Sequence, residues 1–211
     1  MPPAPIPLIS DKPLSKNTSE PASIARLRED IVFSADIREH RYEFHTTWGL
    51  FSPKGLDAGT QLLLQHIQIE PDDRAIDLGC GYGPLGMVVA RQAPAGHCVM
   101  VDKDFMAIKY ANANLQRNQI TNAHAMLSDG LQHVPAQRFT LAISNLPAKT
   151  NKQHYQLFFY DIYQSLETGG RLYVVVINGL RQYIKRAFTE LFGNHTKVKQ
   201  GATYTVAMAI K

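Results

Sequence analysis

The chain has 211 residues, 45% of them hydrophobic, with a formal net charge of +4. That suits one α/β domain with a short extension, and the mildly basic balance is compatible with a polyanionic partner without requiring one. Two cysteines, Cys80 and Cys98, make no disulfide framework. No zinc spacing, apolar run of ~18 residues or secretory leader is visible, so the expectation is a cytoplasmic protein without metal or membrane contact.

In chain order, residues 1–22 are rich in proline (Pro2, Pro3, Pro5, Pro7, Pro13, Pro21) and read as a disordered arm. Ser23 to Phe33 has helical apolar spacing, with Ser23 as N-cap. Ile37 to Thr47 alternates as a strand or hairpin and leads into Trp48-Gly49-Leu50-Phe51-Ser52-Pro53-Lys54-Gly55-Leu56-Asp57-Ala58-Gly59-Thr60-Gln61-Leu62-Leu63-Leu64. There Trp48, Leu50 and Phe51 either wall a pocket or plug the core.

The stretch Ala75-Ile76-Asp77-Leu78-Gly79-Cys80-Gly81-Tyr82-Gly83-Pro84-Leu85-Gly86 is a short apolar strand, a glycine turn and the start of a helix. Glycine suits a backbone that turns sharply against a ligand. Gly81, Gly83 and Gly86 alone would fit a dinucleotide fingerprint. The longer pattern Asp77-x-Gly79-x-Gly81-x-Gly83 is more specific, because a carboxylate there would repel a pyrophosphate and suits an amino-bearing or cationic ligand. This pattern resembles motif I of the class I S-adenosylmethionine (SAM) dependent methyltransferases. The upstream Gly-x-Phe-Ser and Leu-Asp-x-Gly-Thr-x-Leu-Leu segment sharpens the resemblance to the "methyltransferase small" domain family, which includes the catalytic domain of ribosomal RNA small subunit methyltransferase C. The resemblance implies that residues 23–211 form one SAM-dependent domain with 23–67 as a cap over the active site. It also implies that Phe51 flanks the pocket and that Asp57 caps the helix starting near Leu56.

Next, His97 to Val101 reads as a buried strand ending at Asp102, 19 residues beyond Gly83. That is the usual place for an acid accepting ribose hydroxyls, whichever nucleoside cofactor is bound. Asp102 could also cap the helix Phe105 to Gln116. After the short strand Ala123 to Leu127, the resemblance implies that Asp129 meets the adenine amine, although Asp129-Gly130 is also a plausible turn.

The strand Phe139 to Ser144 runs into Asn145-Leu146-Pro147-Ala148. Its position matches the Asn-Pro-Pro-aromatic motif of amino-methylating enzymes. There the asparagine carbonyl and the following backbone carbonyl orient a weakly nucleophilic amine. Asn145, Leu146 and Pro147 are therefore the expected catalytic positions, with Asn145 also beside the cofactor. Leu146 replaces a proline and Ala148 replaces the stacking aromatic; Phe51, Ala148 and Lys149 are the expected substrate contacts. A helix from Gln153 to Leu166, a strand from Arg171 to Ile177, a helix from Leu180 to Phe192 and a terminal antiparallel pair complete the chain. Lys149, Lys152, Lys185, Arg186, Lys197 and Lys199 could track phosphates or simply be solvated.

These elements predict a Rossmann-like class I methyltransferase fold: a seven-stranded, mostly parallel sheet whose last strand is antiparallel. The resemblance implies methyl transfer from SAM to an exocyclic amine, in first place guanine of ribosomal RNA, with ribosomal RNA or a ribosomal subunit as partner. A small-molecule or protein-amide acceptor, or a silent SAM- or RNA-binding module, remains the alternative.

Overall fold

The computed structural model describes residues 29–148 and 152–211. Strands β1 (Ile31–Ile37) and β2 (His40–Thr46) form a separate two-stranded antiparallel hairpin. The main sheet contains β3 (Arg74–Leu78), β4 (His97–Asp102), β5 (Ala123–Leu127), β6 (Phe139–Asn145), β7 (Leu166–Ile177), β8 (Thr196–Gln200) and β9 (Tyr204–Ile210). Its seven strands lie in the order β5-β4-β3-β6-β7-β9-β8. The run from β5 to β7 is parallel, and β9 is antiparallel to both neighbours. The fold expected from the sequence is the fold observed.

The central strands are apolar on both faces because both faces are covered. Ala75, Cys98, Met100, Leu141 and Ile143 join the core under α1 (Ala58–His66), α2 (Pro84–Gln92) and α3 (Phe105–Arg117). Ile76, Val99, Val101 and Ala142 join the opposite core, under α4 (Lys152–Ser165) and α5 (Arg181–Phe192). Sheet order reverses at β3, where β4 lies on one side and β6 on the other. A crevice outside the carboxyl ends of such strands is where this architecture binds ligands.

The helix expected from Ser23 to Phe33 is not what its described end forms. Ile31–Ile37 is a strand whose side chains alternate between half-buried and exposed up to the buried Ile37. The period-two pairing of Phe33 with Phe44 and Ala35 with Tyr42 outweighs the helical spacing. Residues 1–28, including the expected arm, lie outside the described residues, as does Lys149.

Asparagines of α3 hold the hairpin to the domain. Asn114 is fully buried; its Oδ1 accepts from the His45 backbone N–H at 2.9 Å, and its Nδ2 donates to the carbonyls of His45 (2.9 Å) and Tyr82 (3.0 Å). One turn later Asn118 repeats the pairing, accepting from the Glu43 N–H at 3.0 Å and donating to the Glu43 carbonyl at 2.7 Å. The two amides act as a surrogate strand on the outer edge of β2, and Asn114 also grips the glycine turn through Tyr82. Asn112 does the same for β5, the edge of the main sheet, through both backbone groups of Ala125.

Replacing Asn114 by alanine strands the partly buried N–H and carbonyl of His45 and the buried carbonyl of Tyr82. Asn114→Ala is expected to lower the unfolding free energy by about 2–3 kcal/mol, measurable by urea denaturation. A loss within about 0.5 kcal/mol would mean that water replaces the amide at no cost.

Candidate active site

The turn leaving β3 is built from backbone. Gly79 and Gly81 have φ of +72° and +56°, and nothing lies within 4 Å of where a Cβ would stand on either, so the side-chain face of the turn borders open space. Gly86 is needed for a different reason: a Cβ there would come within 2.5 Å of Met100, so only glycine lets α2 pack against β4. Two carboxylates hold the turn. Asp77 Oδ2 accepts from the Gly86 N–H at 2.9 Å, and Asp102 Oδ2 accepts from the Gly81 N–H at 2.9 Å.

Asp77 has no exposed surface, and its Oδ1 has no hydrogen-bond partner. Burial pushes its carboxyl up to about 7; the Gly86 N–H opposes the rise and nearby Asp102 adds to it. A buried acceptor beneath a glycine turn suits an amino or ammonium group. Asp102, at the end of β4, also accepts from the Asp104 N–H at 3.0 Å and keeps lone pairs for further donors. The cap of α3 is Asp104, which accepts from the Met106 N–H at 2.8 Å, so Asp102 is not spent on that task. Asp129 is exposed after β5, beside Ser128, whose N–H bonds to the Asp102 carbonyl at 2.9 Å and ties the two strand ends together.

Asn145 is the last residue of β6, and its side chain is anchored to α1. Nδ2 donates to Asp57 Oδ2 and to Thr60 Oγ1, each at 3.0 Å. Asp57 caps α1 as expected, accepting from the Gly59 and Thr60 N–H groups at 2.9 and 3.2 Å, and it also receives the Tyr204 hydroxyl at 3.1 Å. The sequence reading gave Asp57 only the capping role, and Thr60 and Tyr204 none. Leu146 is buried and donates its N–H to the Val175 carbonyl at 3.0 Å. Pro147 and Ala148 are exposed, and the Pro147 carbonyl accepts from the Tyr155 hydroxyl.

The segment before α1 bridges these pieces. The Tyr82 hydroxyl, within the glycine turn, donates to the Ser52 and Gly55 carbonyls at 3.4 and 3.3 Å. Leu50 is the plug, 7% exposed; Trp48 and Phe51, at 47% and 64%, face solvent, with Lys54 Nζ 4.9 Å from the Trp48 ring centre. Asp77, the glycines, Asp102 and Asn145 thus share the rim where β3, β4 and β6 end, with Phe51 on a loop pinned to it. Asp129 is joined only through Ser128. A hollow of about 450 Å³ between β1 and α1, lined by Phe33, Arg38, Leu56 and Leu64 among others, contains none of these rim residues. Among the described residues no helix is long and apolar enough to cross a membrane, and no group of three or more His, Cys, Asp or Glu could hold a metal ion.

A family model described as methyltransferase small domain matches residues 41–208. The chain is 32% identical over 192 residues to a ribosomal RNA small subunit methyltransferase C of Hamiltonella defensa, covering 87% of this chain and 56% of that protein. It is 31% identical over 169 residues to a ribosomal RNA large subunit methyltransferase G of Streptomyces avermitilis, covering 77% of this chain and 44% of that one. The chain thus spans about half the length of these curated relatives. Among solved structures, a 16S rRNA N2 guanine methyltransferase of Thermus thermophilus in complex with AdoMet and guanosine superposes with a TM-score of 0.77 at 28% identity, covering 85% of this chain and 50% of that one.

An acid kept neutral by burial binds its proton more tightly folded than unfolded. The stability that Asp77 contributes is therefore complete below pH 3.8 and is lost as pH rises through about 7. Against Asp77→Asn, which keeps the size and offers Gly86 the same acceptor, wild-type stability should decline between about pH 4 and about pH 7 in urea titrations. Parallel curves for the two proteins would show that Asp77 is ionised throughout.

Proposed function

The chain belongs to the methyltransferase small domain family, and we propose on that basis that it transfers a methyl group from SAM to an exocyclic amine, that of guanine in ribosomal RNA. The observation that carries the reading is Asn145 at the end of β6, its Nδ2 tied to α1, on the same rim as the Asp77 turn. The rRNA methyltransferases matched in sequence and structure support the substrate class.

The rim fits the cofactor. Gly79 and Gly81 leave room above their backbone, the orphan Oδ1 of Asp77 suits an amino group, and the Asp102 carboxylate has lone pairs for ribose hydroxyls. Asp129 would accept from the adenine amine. Bound there, SAM supplies an electrophilic methyl group on a sulfonium centre. The protein's part is positioning: Asn145 Oδ1 and the Leu146 carbonyl accept the two N–H bonds of the acceptor amine and hold its lone pair toward the methyl. Pro147 shapes that turn. Phe51 offers a stacking face where Ala148 has none, and Lys149 would meet phosphate. A cytoplasmic location goes with this reading, in keeping with the free, buried thiols of Cys80 and Cys98.

Methyl-labelled SAM incubated with ribosomal subunits, naked RNA and a small-molecule extract, all from cells lacking the protein, should label one ribosomal RNA species at a guanine amine. Label confined to the extract would overturn the RNA substrate in favour of a small molecule, for which Ala148 leaves room. Asn145→Ala should leave SAM affinity unchanged by equilibrium dialysis and reduce transfer by about 100-fold or more. Unchanged transfer would remove Asn145 from the chemistry. RNA methylation should also weaken steeply as salt is raised, because phosphate contacts release counterions; a salt-independent rate would count against a nucleic-acid acceptor.

A further inference from the structure

We infer that Asp57, assisted by Thr60, is the positioning residue for Asn145: it locks the carboxamide with Nδ2 turned inward, so that the site offers the acceptor molecule only a hydrogen-bond-accepting oxygen and selects a group bearing N–H. This rests on the reading of the rim as an N-methyltransferase site.

An asparagine amide is nearly symmetric in shape but opposite in chemistry at its two ends, and either end could face the cleft. Asp57 removes that choice. A carboxylate oxygen only accepts, so the end of Asn145 lying 3.0 Å from Asp57 Oδ2 is the amino end. Thr60 Oγ1, also at 3.0 Å, gives the second Nδ2 proton its acceptor. The amide is planar, so Oδ1 then faces away from α1. Flipping the group would set the carbonyl oxygen of Asn145 against a carboxylate oxygen with no proton between them.

The carboxylate is itself fixed. Oδ2 accepts from the Gly59 and Thr60 backbone N–H groups at the start of α1, and Oδ1 accepts from Tyr204 on β9 at 3.1 Å. Gly59 permits this arrangement: a Cβ there would stand 2.8 Å from Asp57 Oδ2 and 3.0 Å from the Tyr204 ring. The spacing Asp57-x-Gly59-Thr60 therefore encodes an acceptor, room for the tyrosine and a second acceptor. Two elements distant in sequence, α1 and β9, thus meet at Asp57, behind the amino end of Asn145.

Two substitutions separate orientation from capping and from charge. Asp57→Ser retains a good N-cap but is too short to reach Asn145 as well. Asp57→Asn retains the cap and the acceptor facing Asn145 if its own amino end turns to the Tyr204 hydroxyl, which can accept. With similar thermal stability, Asp57→Ser should lose roughly tenfold or more in kcat with the KM for SAM unchanged, whereas Asp57→Asn should stay within about threefold of wild type. In NMR spectra of isotope-labelled protein, the Asn145 amino protons, identified by their absence in Asn145→Asp, should exchange slowly in wild type and Asp57→Asn. In Asp57→Ser they should exchange fast. Wild-type kcat and slow exchange in Asp57→Ser would overturn the proposal. Equal loss in both variants would overturn it too, since charge and not orientation would then be at work. If wild-type protein methylates no acceptor, the functional reading fails, while the exchange rates still decide whether Asp57 holds the amide.

Discussion

The turn between β3 and α2 must carry the backbone through positive φ while the chain reverses into a helix, and carboxylates bound to its amides make that possible. Asp77 reaches forward to the Gly86 N–H, and Asp102 reaches across from the neighbouring strand to the Gly81 N–H. The Gly79 and Cys80 N–H groups are satisfied by the Val101 carbonyl at 2.9 and 3.0 Å. An acid behind a glycine turn thus has a structural task before any ligand arrives. The unused Oδ1 of Asp77 is what the scaffold does not require. Burying it without a partner costs folding energy, and such a cost is typically retained where a ligand recovers it.

The hairpin depends on the same turn. Tyr82 sits between two of the glycines, its ring packed edge-on against Phe33 and Phe44, its carbonyl held by Asn114 and its hydroxyl holding the segment before α1. One residue therefore couples the hairpin, α3 and the loop bearing Phe51 to the glycine turn. The hairpin needs that support, because two strands alone are marginal in water. Asn114 and Asn118 supply it along an edge that would otherwise be open to another chain.

The parts legible in the sequence were those with short-range logic. The β3 turn, the apolar central strands and the terminal antiparallel pair each follow from a local pattern, and together they imply a mostly parallel sheet with an antiparallel end. The hairpin was less legible, since Ile31, Val32 and Phe33 fit a helical spacing until Phe44 and Tyr42 are known to lie opposite. The amide ladders of Asn112, Asn114 and Asn118 looked like polar residues on an ordinary helix. Their period of two to four residues carries meaning only once the strand edges beside them are placed. The link from Asp57 to Asn145 spans 88 residues. Nothing in local patterning could report it.

Leu146 shows how a departure from the usual motif can be absorbed. A proline at this place has no N–H to give, whereas Leu146 donates one to the Val175 carbonyl at 3.0 Å and extends the β6–β7 ladder past Asn145, itself paired with Val175. Its side chain is 6% exposed and joins the core beneath α4, where Tyr155 closes on the Pro147 carbonyl from the same side. The rigidity that a proline ring would give the turn is here supplied by a strand bond, a buried side chain and a tyrosine. The following Pro147 still biases Leu146 toward an extended backbone. The substitution therefore keeps the path of the main chain through the site. The other departure lies two residues further on, at the exposed Ala148, where the side chain has no aromatic face to offer.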